Sequence, residues 1–96
     1  PGTVYYMTKS AIQSLTRGLA QELGPRDITV NTVQPGSTNT EMNPEDGESA
    51  DFQRSLMPLG RFGQPEDVGA AVAFLASPAA RQITGTILTV DGGALS

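Results

Sequence analysis

Apolar residues recur through the first quarter of the chain at helical spacing. Ile12, Leu15, Leu19 and Leu23 lie three or four residues apart, a stripe over about three turns. Ala11, Ser14 and Gly18 make a second face of small residues, so this helix is expected to be covered on two sides. Gly2 and Thr3 are read as preceding it. Gly24-Pro25 is expected to end it, with Gly24 in the left-handed position and Pro25 unable to continue. Ile28 to Val33 shows partial alternation of β-formers and predicts a strand, stopped by Pro35-Gly36. Ser37 to Asp51 is polar and acidic and reads as a long loop, a kind of segment that is usually functional or disordered. Phe52, Leu56 and Met57 predict a short helix at its end. Pro65-Glu66-Asp67 is a helix start, with Pro in the first position and carboxylates in the first turn. Val68, Ala71, Val72 and Leu75 continue it, and Ser77-Pro78 closes it. Thr86 to Val90 predicts a second strand, followed by an Asp91-Gly92-Gly93 turn.

Helices between strands imply a parallel sheet with right-handed crossovers. Two parallel strands do not make a self-sufficient sheet, and the first helix lacks the strand that should precede it. The fold class is therefore α/β. Residues 1–96 read as the C-terminal part of a larger doubly wound domain, without internal repeats. A start at Pro1 without Met fits a fragment or a processed product.

Composition narrows the chemistry. The chain has no Cys and no His, which removes disulfides, thiolate metal sites and a Ser-His-Asp triad within it. Net charge is −4 and no basic stripe exists, so nucleic acid is not an expected partner. No run reaches the length of a membrane span, and no signal peptide is visible. A cytoplasmic setting fits these absences. Glu41, Glu45, Asp46, Glu48 and Asp51 hold half of all the carboxylates within eleven residues.

Tyr5 and Lys9 are the most chemical pair in the chain. Four residues apart on a helix, they rise from one face, with Cβ atoms roughly 6 Å apart. A free phenol has a pKa of about 10, and a neighbouring cation favours its ionised form. Such a pair can transfer protons near neutral pH. Spacing alone puts the plainer reading, a partly buried tyrosine and a solvated lysine, ahead by roughly ten to one.

Further segments reverse those odds. Tyr5-Tyr6-Met7-Thr8-Lys9 resembles the Tyr-x-x-x-Lys signature of short-chain dehydrogenases/reductases. Val30-Asn31, Pro35-Gly36 and Thr40 resemble that family's Val-Asn…Pro-Gly-x-x-x-Thr segment. Arg61 to Val68 resembles its Arg-x-Gly-x-Pro-Glu-Asp-Val stretch. Phe74-Leu75-Ala76-Ser77, Thr84-Gly85 and Val90-Asp91-Gly92-Gly93 match its closing motifs. One such motif is weak; five in order are strong. The nearest motif likeness is to members of the 3-oxoacyl-carrier-protein reductase type.

The resemblance implies an NAD- or NADP-dependent oxidoreductase, NADP slightly favoured, on a Rossmann-type doubly wound parallel sheet whose N-terminal strands are absent here. Tyr5 would exchange a proton with the substrate oxygen. Lys9 would favour the phenolate and hold the ribose hydroxyls of the nicotinamide. Tyr6 is out of register, since Ser10 follows it by four. Pro35 and Gly36 would flank the nicotinamide, and Gly36 would let backbone approach the ring closely. The Thr38 backbone would meet the carboxamide, although an aliphatic residue is common at that position. Thr40 would contact the carboxamide or the pyrophosphate. Residues 37–58 would form a substrate lid. Met42, Phe52, Leu56 and Met57 either offer it an apolar wall or, for Phe52 and Leu56, pack the lid onto the body. Arg61 would tie the lid base, and Asp67 would serve the helix start.

The acidic lid disfavours anionic substrates, so a small neutral carbonyl or secondary alcohol is expected. A homo-oligomer, dimer or tetramer, is implied. The Gly-rich loop and the catalytic Ser of the family are absent, so the chain by itself is not expected to transfer hydride. Two other readings remain: a cyclic-dinucleotide-binding relative, which the Pro35 to Pro44 segment resembles, and an inactive truncated remnant.

Overall fold

The computed structural model describes residues 2–94. Helix α1 spans Gly2–Leu23 and runs into a single 3-10 turn at Gly24–Arg26. Strand β1 follows at Thr32–Pro35, then a short helix α2 at Ala50–Ser55 and helix α3 at Pro65–Leu75. A second 3-10 turn, Pro78–Ala80, leads to strand β2 at Ile87–Val90. The two strands are parallel, with Thr32 opposite Ile87 and Pro35 opposite Val90. Helix α3 packs against both of them. No helix among the described residues is long and apolar enough to cross a membrane.

Several boundaries differ from the sequence expectation. Helix α1 takes in Gly2 and Thr3. The first N–H groups of a helix have no intrahelical partner anyway, so weak helix formers cost little there. Gly24 is not the left-handed residue. Asp27 takes that conformation, with φ 58°, because Gly24-Pro25 starts the 3-10 turn that Asp27 closes onto Gly24 O at 2.8 Å.

Strand β1 begins four residues later than Ile28 and ends at Pro35. Ahead of Thr32 the chain is tied to the β2 side by one backbone bond, Gly85 N–H donating to Val30 O at 2.7 Å, and otherwise by side chains. Val30 N–H donates to Thr84 Oγ1 at 3.0 Å. Asn31 Nδ2 donates to Ile83 O at 3.1 Å, and its Oδ1 accepts from Thr86 N at 3.1 Å. The ladder then runs on through Gly36, whose N–H donates to Val90 O at 3.0 Å. Thr32 and Gly36 both donate towards β2. Pro35, out of phase with them, directs its nitrogen away, so its missing N–H costs no bond here.

Helix α1 is not covered on two sides among the described residues. Ile12 and Leu15 are 42% and 60% exposed, and Ala11, Ser14 and Gly18 are exposed as well. Only Thr16 and Ala20 of this helix are buried, since a two-stranded sheet covers a narrow face. Thr16 Oγ1 donates to Ile12 O at 2.8 Å and meets Thr32 Oγ1 at 2.5 Å. Ala20 lies against Gly85, whose φ is 73°. The apolar core elsewhere is a small cluster of Ala50, Met57 and Phe62.

Candidate active site

The carboxyl ends of β1 and β2 lie side by side, and the segments that leave them build a cavity of about 160 Å³. This is where ligands bind in open parallel sheets. Tyr5 reaches it from the start of α1, Pro35 and Gly36 from the end of β1, Leu56 and Met57 from the end of α2, and Asp91 from the end of β2. Tyr5 is 57% exposed, so its side of the cavity is open.

Lys9 lies one turn along α1, with Nζ 5.5 Å from the centroid of the Tyr5 ring. The Tyr5 and Tyr6 rings meet edge to face at 5.7 Å. Tyr6 lines a different surface with Met7 and Ser10, so of the two phenols only Tyr5 enters the cavity.

Gly36 has a steric cause within the chain itself. A Cβ there would lie 2.7 Å from Asp91 Cβ and 2.8 Å from Asp91 Cα. Asp91 is buried, and its Oδ1 accepts from Gly93 N at 2.9 Å. That turn needs Gly92 and Gly93 at φ 62° and 90°. Sequence reasoning read Asp91 as part of a turn and of a closing motif and did not place it in the cavity.

Thr38 forms a parallel bridge with Gly63. Gly63 N donates to Ser37 O at 2.9 Å, and Asn39 N donates to Gly63 O at 2.8 Å. In such a bridge the N–H and C=O of Thr38 itself point away from Gly63. Its side chain folds back, Oγ1 donating to Gly36 O at 3.0 Å. Thr40 closes a turn with Asn43, whose N–H donates to Thr40 Oγ1 at 3.2 Å.

The segment from Ser37 to Pro58 is held by amides. Asn43 and Gln53 exchange two hydrogen bonds, each 2.9 Å. Gln53 Nε2 also donates to Ser49 Oγ at 2.8 Å. Asn39 Nδ2 donates to Gln64 Oε1 at 3.3 Å, and Gln64 Nε2 donates to Glu45 Oε2 at 3.1 Å. Arg54 pairs with Asp51 at 3.0 Å, donates to Glu45 O and lies 5.3 Å from the Phe62 ring centroid. The tie expected of Arg61 is thus made by Arg54 and Gln64, because α2 brings Arg54 over the loop while Arg61 is exposed. Asp67 does serve the helix start, its Oδ2 accepting from Gln64 N at 2.8 Å.

Of the four apolar residues expected in a lid, Leu56 and Met57 line the cavity. Met57 is 5% exposed and also belongs to the core cluster. Met42 and Phe52 lie outside the cavity, 98% and 67% exposed. The amides Asn39, Asn43, Gln53 and Gln64 were not singled out from the sequence. Their signal was present: four primary amides lie in and around a segment otherwise dominated by carboxylates.

Residues 1–94 match the family described as enoyl-(acyl carrier protein) reductase. A short-chain dehydrogenase/reductase from Serratia marcescens superposes with a TM-score of 0.92 and 54% identity, over 97% of this chain and 38% of that one. The chain belongs to the short-chain dehydrogenase/reductase family. Its fold is part of that family's Rossmann-type sheet. A second short-chain dehydrogenase, from Burkholderia cenocepacia in complex with NADP, gives a TM-score of 0.91 and 53% identity over 98% of this chain and 38% of that one. By sequence, this short-chain dehydrogenase/reductase is 50% identical over 92% of its length to the cyclic-di-GMP-binding biofilm dispersal mediator protein of Escherichia coli, covering 37% of it. It is 44% identical over 93% of its length to the L-tagatose-forming galactitol 2-dehydrogenase of Cereibacter sphaeroides, covering 36%. The chain therefore spans a little over a third of the length of these relatives.

Proposed function

We propose that the protein carrying this chain is an NAD(P)-dependent oxidoreductase that interconverts a carbonyl and a secondary alcohol. One observation carries the reading: Tyr5, Pro35 and Gly36 share a cavity at the strand ends, with Lys9 beside the Tyr5 ring. Relatives named as dehydrogenases of galactitol, L-rhamnose and hydroxysteroids support it. NADP is favoured over NAD, on the strength of relatives solved with NADP or NADPH.

The residues fit a nicotinamide. A carboxamide needs an acceptor for its N–H and a donor for its oxygen. Thr38 offers both from its backbone on the side away from Gly63. Pro35 and Gly36 would flank the ring, Thr40 would contact the carboxamide or the pyrophosphate, and Lys9 would hold the ribose hydroxyls. When bound, the cofactor supplies or accepts the hydride.

Tyr5 does the proton chemistry. In reduction its Oη–H bond breaks as the substrate oxygen takes the proton, while the carbonyl carbon gains hydride. In oxidation the proton returns to Tyr5. Lys9 stabilises the phenolate left between these events. Positioned acid–base groups of this kind contribute roughly 10²–10⁴-fold.

Residues 37–58 act as the substrate lid, with Leu56 and Met57 as its apolar wall and Met42 and Phe52 available to it from outside the cavity. Glu41, Asp46 and Glu48 turn the lid against anions, so the substrate is a small neutral molecule. The protein acts in the cytoplasm as a homodimer or homotetramer. The exposed apolar residues of α1, including Tyr6, Met7 and Leu15, support an assembly of that kind.

A second reading is favoured by one observation, the Escherichia coli relative named as cyclic-di-GMP-binding. The acidic lid opposes a doubly anionic ligand. Calorimetry of the protein with NADPH and with cyclic di-GMP separates the two readings. The oxidoreductase reading expects NADPH to bind, and Tyr5→Phe to lose turnover while binding persists. Near-native rates in Tyr5→Phe would sink the assignment.

A further inference from the structure

We propose that Gln53 is a specificity-determining residue whose carboxamide reads a hydroxyl on the substrate carbon next to the reacting carbonyl, and that Asn43 positions it. This rests on the oxidoreductase reading above and names the substrate class for the same site.

Gln53 is half-buried on α2 and lines the same cavity as Tyr5. Its carboxamide cannot turn freely. It exchanges two 2.9 Å hydrogen bonds with Asn43 and makes a third, at 2.8 Å, to Ser49 Oγ. A primary amide has two donor protons and two acceptor lone pairs. Three of these four valences are used, so one is left on a side chain that lines the cavity. Leu56 and Met57, which follow it in the chain and line the same cavity, are apolar.

Both Nε2 protons are donated, so the remaining valence is a lone pair on Gln53 Oε1, and a substrate hydroxyl would donate to it. An alkyl group in the same place leaves the amide unpaired as water is displaced, which is costly. The reciprocal pair with Asn43 fixes the amide before substrate arrives. The ordering of a long, rotamer-rich side chain is then already done.

The test uses the intact protein with NADPH and two ketones of nearly equal size, hydroxyacetone and butanone, which differ by a hydroxyl in place of a methyl. The expected native preference in kcat/KM for hydroxyacetone is about tenfold or more, the worth of one hydrogen bond. Gln53→Met should bring that preference to within about twofold, chiefly through KM. Asn43→Ala should lower it in the same sense, and Asn43→Asp, which keeps an acceptor for Gln53 Nε2, should lower it less. NADPH affinity reports that each variant is folded. If Gln53→Met loses NADPH binding, the two Asn43 variants decide. Turnover of both ketones without preference, or a preference untouched by these variants, would overturn the inference alone. No turnover of either ketone would overturn the oxidoreductase reading and this inference with it.

Discussion

Replacing Gly36 with Ala should destabilise the protein, and the structure sets the size of the effect. The added methyl would lie 2.7 Å from Asp91 Cβ and 2.8 Å from Asp91 Cα. Ordinary carbon contacts are about 3.5–4.0 Å, so roughly 1 Å must be found. Neither partner yields easily. Gly36 N is bonded to Val90 O at 3.0 Å, which locks it to β2. Asp91 is buried and holds Gly93 N at 2.9 Å. Overpacking of this kind costs about 1–3 kcal/mol, offset by about 0.4–1 kcal/mol from the stiffer unfolded chain. The net expectation is a loss of about 1–2 kcal/mol, read as a lower urea midpoint at unchanged slope. Gly60→Ala is the control. It has open space around it but a φ of 67°, so it reports backbone strain alone. That strain is worth about 1–2 kcal/mol, at a residue that does not itself line the cavity. Gly36→Ala should also weaken NADPH binding, whereas Gly60→Ala should not. A Gly36→Ala protein with native stability and native NADPH affinity would refute the steric argument.

Tyr5→Phe should lower kcat by about 10²-fold or more with NADPH affinity little changed, and Lys9→Ala should weaken both; steady-state kinetics and calorimetry check this pair. Phe62→Ala removes the largest member of the small core cluster, a ring 4% exposed with Arg54 beside it, and should cost about 3 kcal/mol in denaturant unfolding. Gly69→Ala lies inside α3 with nothing within 4 Å of the added methyl, and should stabilise by about 0.5–1 kcal/mol in the same assay.

Local signals with a local cause were readable in the sequence. Pro65-Glu66-Asp67 starts α3 because proline geometry and a capping carboxylate act within one turn. The Tyr5–Lys9 spacing on one face follows from helix geometry, whereas setting Tyr6 aside rests on the resemblance, which asks for a lysine where Ser10 stands. Features caused by distant partners were not readable. The start of β1 depends on Asn31 reaching Ile83 and Thr86, more than fifty residues away. Gly36 is glycine because Asp91 crosses it, a contact that no spacing rule exposes. The apolar stripe of α1 was legible as a pattern, yet the described chain covers only Thr16 and Ala20. A stripe shows that a face is to be buried, and it leaves the partner unnamed.

Residues 37–58 show why charge was a poor guide to structure here. Their carboxylates dominated the sequence reading, yet most of their ties are neutral amides. Five carboxylates within eleven residues repel one another, so a loop fixed by them would need matching cations. The chain has one Lys and five Arg in all, and this segment uses one, Arg54. Its Asp51 partner is fully exposed, and such pairs contribute little. Amide pairs need no counter-charge and are not screened by salt as ion pairs are. Asn43–Gln53 therefore holds Gln53 in the cavity wall and Asn39–Gln64 ties the segment to the start of α3, and neither pair involves Glu41, Asp46 or Glu48. On the proposed reading, neutralising Glu41, Asp46 or Glu48 would alter which ligands are admitted while leaving the amide ties in place.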